Sequence, residues 1–258
     1  MRRFAGLLQI INLKSLVISA LAVASTAACM VLKIQADFPL TLIATAIVFP
    51  LVFSISTAYT RREKSLEEYG NLKTHGRALY LASRDWLPNT DEGRNKRLKD
   101  ILYDLLSACR DMCKGPIDQA AAYQARIYGD FSRLSEFVVE MRKAELSATE
   151  CSRLNQYISK MSQGFENMRH IYEYRTPRTL RAFSEFFILV LPILYGPYFA
   201  YEANQFDPAL FFVMPILFTL ILVGLSNIQD HLENPFDQIG EDDVAIDPDR
   251  FIASLDHR

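Results

Sequence analysis

The sequence is short of nearly everything that marks an enzyme. Histidine occurs four times, as His75, His170, His231 and His257. None of them has a second ligand at the i+3 or i+4 spacing that lets one helix hold a metal. There is no glycine-rich phosphate loop, no dinucleotide fingerprint and no nucleophile elbow. These absences argue against an enzyme and against a bound cofactor. Four cysteines, Cys29, Cys109, Cys113 and Cys151, are too scattered for a disulfide framework. Cys109 and Cys113 fall on one helix face, but no second pair or nearby histidine completes a metal site, so they read as small buried apolar residues. A formal net charge of −2, with no arginine-rich stripe interleaved with aromatics, makes nucleic acid an unsuitable partner.

What the chain has instead is apolar residues gathered into blocks. Uncharged runs cover Ser15 to Leu32, Phe38 to Thr60, Phe186 to Tyr201 and Pro208 to Gln229, each near the roughly 20 residues that cross a bilayer as a helix. The fold class expected is therefore all-α, a polytopic membrane protein with four transmembrane helices and a helical cytoplasmic region. The third span is the weakest. Glu185 sits at its start, and Pro192, Gly196 and Pro197 interrupt it, which is tolerated only where neighbouring helices or water satisfy the freed backbone groups. Met1-Arg2-Arg3 followed by an apolar run is similar to a cleaved leader. The long amphipathic segment before the run, and Thr26 in place of a large aliphatic residue, favour a retained helix.

Positive charge flanks the spans on one side only. Arg2, Arg3 and Lys14 precede span one, Arg61, Arg62 and Lys64 follow span two, and Arg175, Arg178 and Arg181 precede span three, while the opposite loops hold only Lys33. Both termini and the long middle segment are then expected in the cytoplasm. The organisation reads as an N-terminal amphipathic segment with the first hairpin (1–60), a cytoplasmic helical region (61–182), a second hairpin (183–229) and a C-terminal tail (230–258). Within the middle region, Leu98, Leu102, Leu105, Cys109 and Met112 form one helical stripe, and Leu154, Ile158, Met161, Phe165 and Met168 another. Loop sequence at 88–93 and Gly115-Pro116 predicts helices through Trp86 and over 94–114, 117–149 and 150–174.

Two stretches carry a family likeness. Ser56 to Gly70 resembles the bestrophin signature that leaves the second span, a Tyr-x-Arg followed by an aromatic-Gly pair; Tyr59, Arg61, Tyr69 and Gly70 match, and Arg62-Glu63 replace the usual tryptophan pair. After the last span, Asn234, Pro235 and Phe236 are similar to the family's Asn-Pro-Phe-Gly that leads into acids, with three residues interposed before Gly240. Thr176-Pro177 stands where the family has a proline ahead of span three.

The resemblance implies a homopentameric channel for small monovalent ions in the cell membrane, with a bacterial inner membrane expected. Its partners are then further copies of the chain, lipid and the ion, with a monovalent anion such as chloride favoured and cation conduction the alternative. The family register places the pore neck at Thr45, Phe49 and Phe53, whose four-residue steps put them on one helix face. Five copies of that face make an apolar collar able to gate by dewetting. The same register places a cytoplasmic constriction at Arg178, Thr179 and Arg181, where five-fold repetition of arginine makes a ring attractive to anions. The shifted acids Glu241, Asp242 and Asp243 leave no metal expected there and no calcium requirement. A membrane-anchored helical signalling or scaffold protein is the competing class.

Overall fold

The computed structural model describes residues 12–38, 40–89, 91–174, 178–207, 209–236 and 243–256, apart from the side chains of residues 40, 42, 117 and 178. Arg2, Arg3, Arg175, Thr176, Pro177, Pro208, Gly240, Glu241, Asp242 and His257 lie outside the described residues. Nine α-helices are described: α1 (Leu13–Leu32), α2 (Leu40–Asp85), α3 (Glu92–Lys114), α4 (Ala120–Lys143), α5 (Ala148–Glu173), α6 (Arg178–Leu194), α7 (Gly196–Gln205), α8 (Leu210–Glu233) and α9 (Pro248–Ser254). A 3-10 turn, Ile117–Gln119, leads into α4. No strand occurs among the described residues.

The chain forms two compact units. The first takes the residues up to Thr60 together with Thr176–Glu233, and the second takes Arg61–Arg175 together with Asn234 onward. Among the described residues four helical stretches are long and apolar enough to cross a membrane: Leu13–Leu32, Ile43–Asp85, Thr179–Gln205 and Leu210–Glu233. At 46 residues, α2 is about twice as long as a hydrocarbon core of ~30 Å requires at ~1.5 Å per residue. Its charged half, from Arg61 onward, belongs to the second unit.

In the first unit α1 packs on α6, α7 and α8 around Ile18, Leu51, Ile188, Tyr195, Phe199 and Leu222. The side chain of Asn12 caps α1 by accepting from the Ser15 amide at 3.1 Å, and its Nδ2 donates to Asn227 on α8 at 3.2 Å. The expected break in span three is real: α6 ends at Leu194 and α7 restarts at Gly196. A Cβ at Gly196 would come within 2.5 Å of Ser25 Oγ and 3.2 Å of its carbonyl carbon, so glycine is what allows α1 to approach this kink.

The second unit is a helical cluster in which α4 packs on α3 and α5, and α9 on α3. Both predicted stripes face its core, where Leu98, Leu102, Leu105, Cys109, Met112, Leu154, Met161, Phe165 and Met168 are buried. Burial pushes the Cys113 thiol up to about 12 and Cys109 well above the ordinary thiol range, so both are neutral packing residues. Sequence pattern predicts the α4–α5 break near residue 149; the structure puts it at 144–147. Glu145 takes a left-handed conformation, φ 72, and Ser147 caps α5 by accepting from the Glu150 amide at 3.3 Å, with the Ser-x-x-Glu spacing of a capping box. The segment after Pro235 folds back into the same core through Phe236, Val244, Ile246, Phe251 and Leu255. The Val244 amide donates to the Pro235 carbonyl at 2.7 Å and closes this return.

Candidate functional site

Within the first unit α2 has two faces of different character. Ile47, Leu51, Ser54 and Ala58 are buried, following the three- and four-residue steps of a packed stripe. Thr45, Phe49, Val52 and Phe53 point away from that core and are exposed. Phe49 and Phe53 are 60% and 57% exposed, and their rings meet edge to face with centroids 4.6 Å apart. Together with Thr41, Ala44, Val48 and Val52, the upper part of this face forms a shallow groove of about 300 Å³. The Thr57 hydroxyl donates to the Phe53 carbonyl at 2.9 Å, so its polarity is turned into the helix. The three neck positions named from the sequence thus share one face that does not pack inside its own chain. A face of this kind on a spanning helix meets lipid, a further copy of the chain or a lumen.

At the start of α6, Thr179 is exposed, and the side chain of Arg178 is outside the described residues. Arg181 is enclosed by carboxylates. Its guanidinium lies 2.9 Å from Glu185, 3.1 Å from Asp230 and 2.9 Å from Glu233, and Glu233 is 5% exposed. One cation therefore faces three anions, so the group is formally negative. Such a group lacks the uncompensated positive charge that an anion-attracting ring needs.

The family-motif residues have structural partners. Arg61 donates from Nη2 to the carbonyl of Ile171 at 2.7 Å and also to that of Tyr174. These carbonyls belong to the last turn of α5 and the residue that ends it, where a helix leaves acceptors unpaired and favours a cation. Tyr69 is buried, and its hydroxyl accepts from the Asp247 amide at 3.0 Å. Tyr59 is 52% exposed. Nothing lies within 4 Å of a Cβ built at Gly70, so packing among the described residues does not demand glycine there. Pro235 and Phe236 are buried and Asn234 is half-buried. The acids Glu241 and Asp242 lie outside the described residues.

A four-span helical membrane protein with a separate helical unit is the class that this fold defines. No protein-family model matches the sequence, and no curated protein matches it. Solved structures do. A bacterial bestrophin homologue from Klebsiella pneumoniae, phased on zinc, matches with a TM-score of 0.75 at 14% identity, over 99% of this chain and 96% of that one. A tryptophan-to-alanine variant of the bacterial bestrophin homologue from Klebsiella pneumoniae matches with a TM-score of 0.76 at 14% identity, covering 94% of each chain. A structure described as a membrane protein, in a leucine-to-alanine variant, gives 0.77 at 11% identity over 93% and 95% of the two chains. The chain has the fold of the bacterial bestrophin homologues.

Proposed function

We propose that this chain is one subunit of a bestrophin-like ion channel, a homopentamer in a bacterial inner membrane with both termini in the cytoplasm, and not an enzyme. The observation that carries the reading is the bestrophin-homologue fold over nearly the whole chain, together with the unpacked Phe49–Phe53 face of α2. Five such faces around an axis make a collar in which water is poorly held, so an ion crossing it sheds hydration without polar compensation. Thr45, Phe49 and Phe53 are the residues of that neck. Thr179 and Arg181, with Arg178, belong to the cytoplasmic constriction. Its partners are further copies of the chain, membrane lipid and the permeating monovalent ion.

The enclosure of Arg181 favours a second reading of selectivity. A preference for chloride rests on arginine presenting free positive charge at the cytoplasmic mouth, and the three carboxylates around Arg181 more than offset the charge of that arginine. Sodium or potassium is then the favoured ion. Purified protein in liposomes, with chloride and sodium gradients varied separately, tests both statements: flux identifies a channel and the reversal potential names the ion. A folded oligomer without flux to any monovalent ion returns the scaffold reading.

A further inference from the structure

Within the second unit, a cavity of about 650 Å³ lies between α2 and the returning C-terminal segment. One wall is a single face of α2 carrying Tyr69, Lys73 and Arg77; the other carries Asp247, Arg250 and Ser254. Lys73, Arg77 and Arg250 are three cations facing one space, and none is ion-paired among the described residues. The one carboxylate in the lining, Asp247, also serves as a helix cap. Asp247 Oδ1 accepts from the Arg250 amide at 2.9 Å as the cap of α9, and the Asp247 amide is held by Tyr69 Oη. Arg77 is steadied by a 2.8 Å bond to Ser254 Oγ, and Lys73 sits over the Tyr69 ring at 4.3 Å from its centroid.

Like charges brought into one cavity repel unless an anion joins them. Three cations against a single capping carboxylate leave a formal surplus of two positive charges, which matches a phosphate dianion. Arginine and lysine both favour phosphate oxygens, arginine through its planar fork of donors. We propose that this cavity binds a phosphate-bearing anion carrying two or more negative charges, held by Lys73, Arg77 and Arg250. The source is either a soluble phosphate compound or the headgroup of an anionic lipid.

The test uses the full chain in detergent, with pyrophosphate as probe and sodium chloride at equal ionic strength as reference. Calorimetry should show pyrophosphate binding that falls about tenfold in each of Lys73→Gln, Arg77→Gln and Arg250→Gln, as loss of one charge-assisted contact implies. Lys73→Arg should restore it. Arg142→Gln, an exposed arginine elsewhere in the unit, should leave it unchanged. Short-chain phosphatidic acid is the second arm: tighter binding than pyrophosphate, lost in the same three variants, assigns the site to a lipid headgroup. Melting temperatures without added anion separate charge from folding, because the glutamine variants of Lys73 and Arg250 should melt no lower than the wild type. Binding no greater than in matched sodium chloride, or equal loss in Arg142→Gln, would overturn the proposal.

Discussion

The hydroxyl of Ser25 on α1 donates to the carbonyl oxygen of Ile193 at 2.8 Å, the acceptor that Pro197, four residues on, cannot reach because it has no N–H. A carbonyl freed by proline inside an apolar helix needs such a partner. Ser25→Ala should therefore destabilise the folded protein by about 1 kcal/mol, the scale of hydrogen bonds inside membrane proteins. Gly196→Ala should cost more, since the added methyl meets Ser25 backbone as well as its hydroxyl. Denaturation in detergent measures both. A neutral Ser25→Ala would mean that the kink is satisfied in another way.

Asp130 on α4 offers a pH test in the second unit. Its side chain is buried, one oxygen pairs with Arg133 at 2.8 Å, and the other has no hydrogen-bond partner among the described residues. Burial raises its carboxyl above the ordinary value of 3.8, against the lowering influence of Arg133. A carboxyl raised in the folded state binds more protons folded than unfolded between the two values, so its contribution to stability is unfavourable at neutral pH and improves as pH falls towards 3.8. Asp130→Asn, which keeps an acceptor for Arg133, should be at least as stable as the wild type at pH 7, and its advantage should shrink on acidification. Parallel melting curves from neutral to acid pH would falsify the assignment.

Much of this molecule could be read from local pattern. The Leu98–Met112 and Leu154–Met168 stripes are helical repeats whose buried faces follow from spacing alone, and the proline and glycine of span three mark a real break. The α4–α5 junction escapes local pattern because it contains neither proline nor glycine; its signal is Ser147 three residues before Glu150. Arg181 shows the harder limit. It counts as a topology signal in sequence, yet its partners Asp230 and Glu233 belong to another helix, the latter 52 positions away, and no local pattern reports that pairing. The capture of Val244 to Leu255 by the second unit was equally silent, because short apolar positions among acids read as a tail.

The Arg181 group predicts separate effects on stability and on selectivity. Removing the cation leaves three carboxylates together, one of them buried. Arg181→Gln should therefore cost about 2 kcal/mol, below the ~3–5 of a fully buried pair because Arg181 is 41% exposed. In the channel reading, Asp230→Asn should shift the sodium-to-chloride permeability ratio towards chloride, since it leaves Arg181 less compensated. Reversal potentials under a sodium chloride gradient report the ratio. An unchanged potential in an intact oligomer would place this group away from the ion path.

The neck carries the prediction on which the channel reading depends most. Phe49 and Phe53 meet edge to face and point away from the core of their own chain, so each loses little packing within one chain when truncated. Phe49→Ala with Phe53→Ala should therefore leave the isolated subunit folded, whereas truncating a fully buried phenylalanine costs roughly 3–5 kcal/mol. If the rings form a collar on a symmetry axis, the double variant widens it at two levels, and sodium or chloride flux in liposomes should rise or become leaky while size-exclusion still shows the oligomer. If they serve as the interface between subunits, the oligomer should fall apart first and flux should vanish with it. If they face lipid, neither quantity should move. Size-exclusion profile and flux measured on the same preparation distinguish the three outcomes, and only the first supports Phe49 and Phe53 as the neck.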